Sequence, residues 1–351
     1  MSLLIDAIVF SLQRYGGVSE YFYQLVRKLE TKNIPASILL EVPLKRQIDT
    51  SSRTLPFIRR QARLLERYLS CRLPAGCSVF HSSYYRLPEQ CSTPTVVTVH
   101  DFVYERYARG PRRWVHSQQK HAAIRAAQAV ICVSEATRQD LIEFVGESPG
   151  QAVHVIHNGV SDVFRPLSLA STSTPYVLYI GERRGYKNFE LLLKAMAFLP
   201  ELQLCCVGGG ALRAGELSAA PERIRKRVSH LGFVSDVTLN ELYNRAFCLV
   251  YPSNYEGFGI PVVEAMRAGC PVVSARCKAV LEVGGAALTV ANETDPRALA
   301  EAVLRLTSSE YRNRMILAGL EVSRQFSWDW THEGTLAVYK SLGLSLERAL
   351  G

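Results

Sequence analysis

No stretch of this 351-residue chain approaches the roughly 20 apolar residues that a membrane-spanning helix requires. Its opening, MSLLIDAIVF, has no basic leader and is broken by Asp6, so neither export nor covalent anchoring is expected, and the expected location is cytoplasmic. Cysteine occurs nine times but never as C-x-x-C, which removes the usual zinc and redox pairings. An odd number of thiols scattered through apolar runs such as AVICV and LQLCCV fits reduced core cysteines. There is no fixed-period repeat and no low-complexity tail.

What is present is an ordinary globular composition, 48% hydrophobic and 21% charged, with a formal charge of +9 from 41 basic and 32 acidic residues. That balance favours an anionic partner: nucleic acid, a membrane surface or a phosphorylated small molecule. The basic residues do not interleave with aromatics into a stacking platform, so nucleic acid is not expected.

Short β-rich runs (LLIDAIVF, SILLEV, TVVTVHD, AVICVS) alternate with segments of helical period, which predicts an α/β fold with parallel sheets. The alternation breaks at SDVFRPLSLASTSTP, read as a linker, and resumes with YVLYIG. The expected organisation is a doubly wound domain over 1–165 and a second over 166–325. A helical segment, 326–351, is expected to pack back towards the first domain. Ligands of such sheets bind beyond the carboxyl ends of the strands, so the expected site is a cleft between the two domains.

The richest motif is NYEGFGIPVVEAM, which sets Glu256 and Glu264 on either side of a Gly257-Phe258-Gly259 loop, with Pro261 suited to a first helical turn. Free amides at such a helix start favour an anion. A dipole-complementing acid and a solvated loop acid would explain each carboxylate alone, but the glycine loop between them favours a ligand. YIGERRGYKNFELLLKAM gathers Arg183, Arg184 and Lys187 at a strand end, where they suit a diphosphate or a solvated turn. VGGGALR has Arg213 where the third glycine of G-x-G-x-x-G belongs, so a nicotinamide cofactor is not expected. In HLGFVSD, Asp236 reads as a helix cap and Phe233 with Val234 as a turn that could border a nucleobase.

These motifs, with GCPVVSA at 269–275 and, earlier, SLQRYGGVSEYF, TVHD, VICVSEATRQDL and HNGV, resemble the retaining GT-B glycosyltransferases of family four (group 1), which include bacterial O-antigen and polysaccharide mannosyltransferases. The resemblance covers nearly the whole chain. It implies that Glu264 binds the ribose of a nucleotide sugar and that Glu256 with the amides of Gly257, Phe258 and Gly259 holds the sugar hydroxyls. It further implies that Arg183 and Lys187 clamp the diphosphate, that His100 lies at the transferred sugar, and that Gly16 and Gly17 form a loop closing towards the phosphates. Glu182 stands where many relatives have arginine, so Arg183 and Arg184 are both candidates for the phosphate contact.

The eight aspartates never fall two apart, so the D-x-D metal motif is missing and transfer without a metal or other cofactor is expected. With Glu256 on sugar hydroxyls, no carboxylate is left as a nucleophile, and same-face attack assisted by the donor phosphate is the expected route. The subgroup match points to GDP-mannose, with a UDP-sugar or GDP-rhamnose as alternative donors. The acceptor is expected to be a glycan, in the lipid-linked form used for surface polysaccharide. Residues 55–73, LPFIRRQARLLERYLSCRL, read as a basic amphipathic helix that would dock on an anionic inner membrane face or simply be solvated. The basic stretch 106–127 carries the same two readings. Rival activities on the same plan are a sugar-nucleotide epimerase, a phosphorylase and a non-catalytic nucleotide-sugar binder.

Overall fold

The computed structural model describes residues 2–51, 55–90, 92–168, 174–183, 185–213, 215–218 and 220–344. The chain forms two compact units, Met1–Gly159 with Trp328–Gly351, and Val160–Ser327.

In the first unit, β1 (Ser2–Asp6), β2 (Ala36–Val42), β3 (Phe57–Gln61), β4 (Cys77–Ser82), β5 (Thr95–Val99), β6 (Ala129–Cys132) and β7 (Ala152–Val155) build a sheet in the order β3-β2-β1-β4-β5-β6-β7. Every pairing is parallel. Strands such as TVVTV of β5 are buried throughout, as expected where helices cover both faces and period-2 alternation is not required. The helix Gly17–Thr31 contributes Phe22, Leu25 and Leu29 to a core with Leu3, Ile5 and Val79, and the helix Trp328–Ser341 adds Val338 and Tyr339. Several polar groups in that core are paired: His81 meets Tyr339 Oη at 2.5 Å and Thr98 Oγ1 at 2.9 Å, while Tyr21 and Thr335 hydroxyls lie 3.3 Å apart. Burial keeps His81 neutral, with its pKa pulled down to about 3.

In the second unit, β8 (Tyr176–Ile180), β9 (Gln203–Val207), β10 (Val228–His230), β11 (Cys248–Tyr251), β12 (Val272–Ser274) and β13 (Leu288–Val290) pair in the order β10-β9-β8-β11-β12-β13, again all parallel. Its core joins Val177, Leu204 and Val250 of the sheet to Leu192, Met196, Leu299 and Val303 of covering helices. In each sheet the strand order reverses once, beside β1 in the first and beside β8 in the second. Right-handed crossovers put the flanking helices on opposite faces there, leaving a crevice at the carboxyl ends of β1 and β4 and of β8 and β11.

Three expectations change. The units meet at 159/160 and 327/328, not 165/166 and 325/326. The stretch read as a linker belongs, as far as residue 168, to the second unit: Phe164 is 2% exposed and packs edge-on against Tyr243, and the backbone amides of Arg165 and Leu167 donate to Asn240 and Asn244. Residues 55–73 are not a helix. Phe57–Gln61 is drawn into the sheet beside β2, Leu65 takes a left-handed φ of +62°, and only Glu66–Tyr68 makes a helical turn. Leu64 and Leu65 are then exposed at 90% and 62%, without the apolar helical stripe on which the membrane reading of this segment rested. Among the described residues no helix is long and apolar enough to cross a membrane.

Candidate active site

The order reversal of the second sheet puts the ends of β8 and β11 side by side, and the two sequence motifs that follow those strands meet there. Lys187 Nζ lies 2.6 Å from Glu256 Oε1, with both side chains largely shielded. The loops are also tied through the backbone: Asn188 Nδ2 donates to Pro252 O at 2.9 Å, and Asn254 N donates to Tyr186 O at 2.9 Å. Glu256 also pairs with the phenol of Tyr251, whose pKa burial pushes up, with the nearby carboxylate pushing the same way. A lysine and a glutamate 69 residues apart thus form one polarised pair at the sheet's crevice.

After Glu256 the chain turns through Gly257-Phe258-Gly259 into the helix Ile260–Arg267. Phe258 is 3% exposed, with its ring edge-on to Phe326 at 5.6 Å, so its side chain anchors the loop in the core. Gly259 sits at φ +97°, and a Cβ there would lie 3.2 Å from Val280 Cγ2, which explains the glycine. No side chain caps the helix, and Pro261 occupies its first turn. Glu264, one turn in, accepts a hydrogen bond at 2.9 Å from Tyr243 Oη, a residue that no local pattern in LNELYNRA marks. Burial, followed by Glu264, drives the Tyr243 pKa well up, so the phenol remains the donor.

Arg183 departs from its expected role. Its side chain is fully buried: Nε binds Glu216 at 2.9 Å, Nη1 binds Gly208 O at 2.8 Å, and Nη2 reaches the carbonyls of Gly209, Gly210 and Ala211 at 3.3, 2.9 and 3.0 Å. All its nitrogens are engaged within the protein, so it shapes the glycine loop where a diphosphate contact was expected. The loop needs its glycines, since Gly208, Gly209 and Gly210 take φ of +78°, +70° and +70°, and a Cβ on Gly209 would fall 2.5 Å from Gly181 O. Arg184, the other arginine of the turn, lies outside the described residues. Phe233 is 54% exposed and reaches the same loop, with Val234 half-buried beside it. The helix that follows is capped by Ser235, whose hydroxyl accepts from Thr238 N; Asp236, read as the cap, is its first residue.

The first unit holds the remaining expected residues. His100 follows β5 and packs edge-on against Tyr21 at 5.1 Å and Phe22 at 6.3 Å, both on the helix that Gly16 and Gly17 begin. Its Nε2 is buried without a hydrogen-bond partner. Burial, helped by Lys120 and opposed by Asp101, pulls its pKa down to about 4, so the ring is neutral near pH 7 and can donate or accept. Gly16 takes φ +144° at the uncapped start of the helix, and Gly17 is its first residue. No group of three or more potential metal ligands occurs among the described residues. Burial pushes the thiols of Cys71, Cys132, Cys206 and Cys270 up to about 12, which leaves them poor nucleophiles.

Two family descriptions divide the chain between them: Glycosyltransferase Family 4 matches residues 15–163, and Glycosyl transferases group 1 matches residues 161–321. O-antigen chain mannosyltransferase B of Escherichia coli is 29% identical over an alignment covering 93% of this chain and 96% of that protein. Among solved structures, sucrose-phosphate synthase from Thermosynechococcus elongatus superposes with a TM-score of 0.79 at 21% identity, covering 97% of this chain and 99% of that one. The Anabaena protein HepE, solved with UDP and glucose, does so with a TM-score of 0.71 at 16% identity, covering 97% and 99%. With both halves matched in order and two sheets of doubly wound topology, the chain belongs to the family-four, group 1 glycosyltransferases, built on the GT-B fold.

Proposed function

We propose that the protein transfers mannose from GDP-mannose to a glycan acceptor in the synthesis of a surface polysaccharide, with retention of anomeric configuration. The observation that carries this reading is the near full-length similarity to an O-antigen mannosyltransferase, shared with a polarised Lys187–Glu256 pair at the sheet crevice. In this reading Glu264, oriented by Tyr243, accepts hydrogen bonds from the ribose. Glu256 and the amides of the 257–259 loop take the sugar hydroxyls, and the neutral ring of His100 serves the transferred sugar.

Departure of the nucleoside diphosphate builds negative charge on phosphate oxygens, and Lys187 with the uncapped start of the helix Ile260–Arg267 supplies positive charge to meet it. Because Glu256 is bound to Lys187 and Tyr251, it is poorly suited to attack the sugar. Same-face attack, with a donor phosphate oxygen accepting the acceptor's proton, is the route we assign. The second reading, a UDP-sugar donor, is favoured by the HepE complex.

Calorimetry with GDP and UDP in the presence of a chelator separates the two. Tight GDP and weak UDP binding is expected. The reverse would discard mannose while keeping the site, and binding of neither would remove the Lys187–Glu256–Glu264 constellation from consideration.

A further inference from the structure

The first unit contains a second feature that the reading above does not use. A cleft of about 530 Å³ opens at the carboxyl ends of β2 and β3, within the range of small-molecule sites. It has no apolar lining residue; its walls are four arginines, three glutamates and Gln61. Arg86 forms its floor with a side chain only 1% exposed, bonded to Asp6 at 3.3 Å, Glu41 at 3.2 Å and Glu66 at 2.8 Å. Arg63 closes on Glu66 from the other side at 2.8 Å, and Arg60 Nη1 donates to the backbone carbonyl of Arg72 at 2.8 Å.

The balance of these charges identifies the ligand class. Four guanidinium groups face three lining carboxylates, with Asp6 behind Arg86, so the cleft has little net charge to offer a phosphate. Arg86, Arg63 and Glu66 spend their hydrogen bonds on one another and hold the cleft in shape, while the side chains of Gln61 and Arg72 line it beside them, a carboxamide that donates and accepts next to a guanidinium donor. A sugar hydroxyl both donates and accepts, and such a surface satisfies both at once.

We propose that this cleft is a saccharide subsite that binds a neutral internal sugar of the acceptor glycan, an inference that rests on the glycosyltransferase reading. The sheet order separates β2 from β5, which leads to His100, by β1 and β4. At about 4.8 Å per strand spacing this is roughly 14 Å, which places the cleft at a sugar other than the one being glycosylated.

The test is saturation-transfer NMR and calorimetry of the whole chain with mannotriose, inorganic phosphate and GDP as separate probes. It compares the wild type with a Gln61→Ala, Arg72→Ala double variant, chosen because neither side chain supports Arg86. Mannotriose should bind the wild type and weaken at least tenfold in the variant, with GDP binding equal in both. Unchanged mannotriose binding in the variant, no mannotriose binding to the wild type, or phosphate displacing mannotriose from the wild type would each overturn the proposal. Loss of GDP binding in the wild type would instead count against the donor site and leave the mannotriose comparison to decide this one.

Discussion

Replacing Arg183 with alanine separates its two roles. As placed, the guanidinium satisfies four carbonyls of the glycine loop and Glu216, all within the second unit. Each bond to a charged donor is worth about 1.5–3 kcal/mol, but the bonds are not additive, because the loop relaxes when they are lost. Breaking a fully buried ion pair by removing one partner costs about 3–5 kcal/mol; because Glu216 is partly exposed and water can reach it, we take the lower end, about 3 kcal/mol, for the whole change. In a unit of this size that lowers the unfolding midpoint by roughly 6–12 °C. Calorimetric melting of the variant should show this loss, and Gly209→Ala, which forces a Cβ against Gly181 O, should move in the same direction. A midpoint within a degree of wild type, together with GDP binding weakened tenfold, would refute the reasoning and return the guanidinium to the diphosphate.

Acid should loosen the first unit. His81 is pulled down to about 3 and His100, His116 and His332 to about 4, each chiefly by burial, so between pH 6.5 and 4 the unfolded chain binds protons that the folded chain refuses. Stability therefore falls as pH drops through that window; Asp6, raised by burial to about 6, and Glu41, also raised by burial, act in the opposite direction but are outnumbered by the four histidines. All three tryptophans lie in this unit and Trp328 is buried, so a red shift of emission between pH 6 and 4.5 is expected, and constant emission down to pH 4 would contradict it. For the chemistry, Glu256→Gln should lower transfer by about 100-fold or more. Intact mass of wild type incubated with donor should show no added hexose, whereas a glycosyl-enzyme at Glu256 would establish a covalent route.

The alternation of apolar runs was enough to read both sheets, because buried parallel strands need no partner to announce themselves. The loop acids were legible for a related reason: glycine and proline between Glu256 and Glu264 are local signals of a turn feeding a helix. Arg183 was not legible as a structural residue, since its acceptors lie 25 to 33 residues away and nothing in GERRGYKN distinguishes a guanidinium facing solvent from one turned inward. Tyr243 was missed similarly, as its contact with Glu264 crosses two helices. In residues 55–73 the helical spacing of Leu64, Leu65 and Leu69 competed with FIRRQ, and pairing with β2 prevailed over local period. Ser235 and Asp236 are both good caps, and the choice between them turned on which hydroxyl or carboxylate met Thr238 N.

The first unit is finished by the helix Trp328–Ser341, which follows the entire second unit in sequence. During synthesis its sheet must therefore wait for the intervening residues to be made, roughly 10–30 s at about 5–20 residues per second. Over that interval His81 has no Tyr339 to bond and Tyr21 no Thr335, while the second unit is free to fold first. The half that begins emerging first from the ribosome is thus the last to be completed, and the apolar face that this helix covers stays open in the meantime.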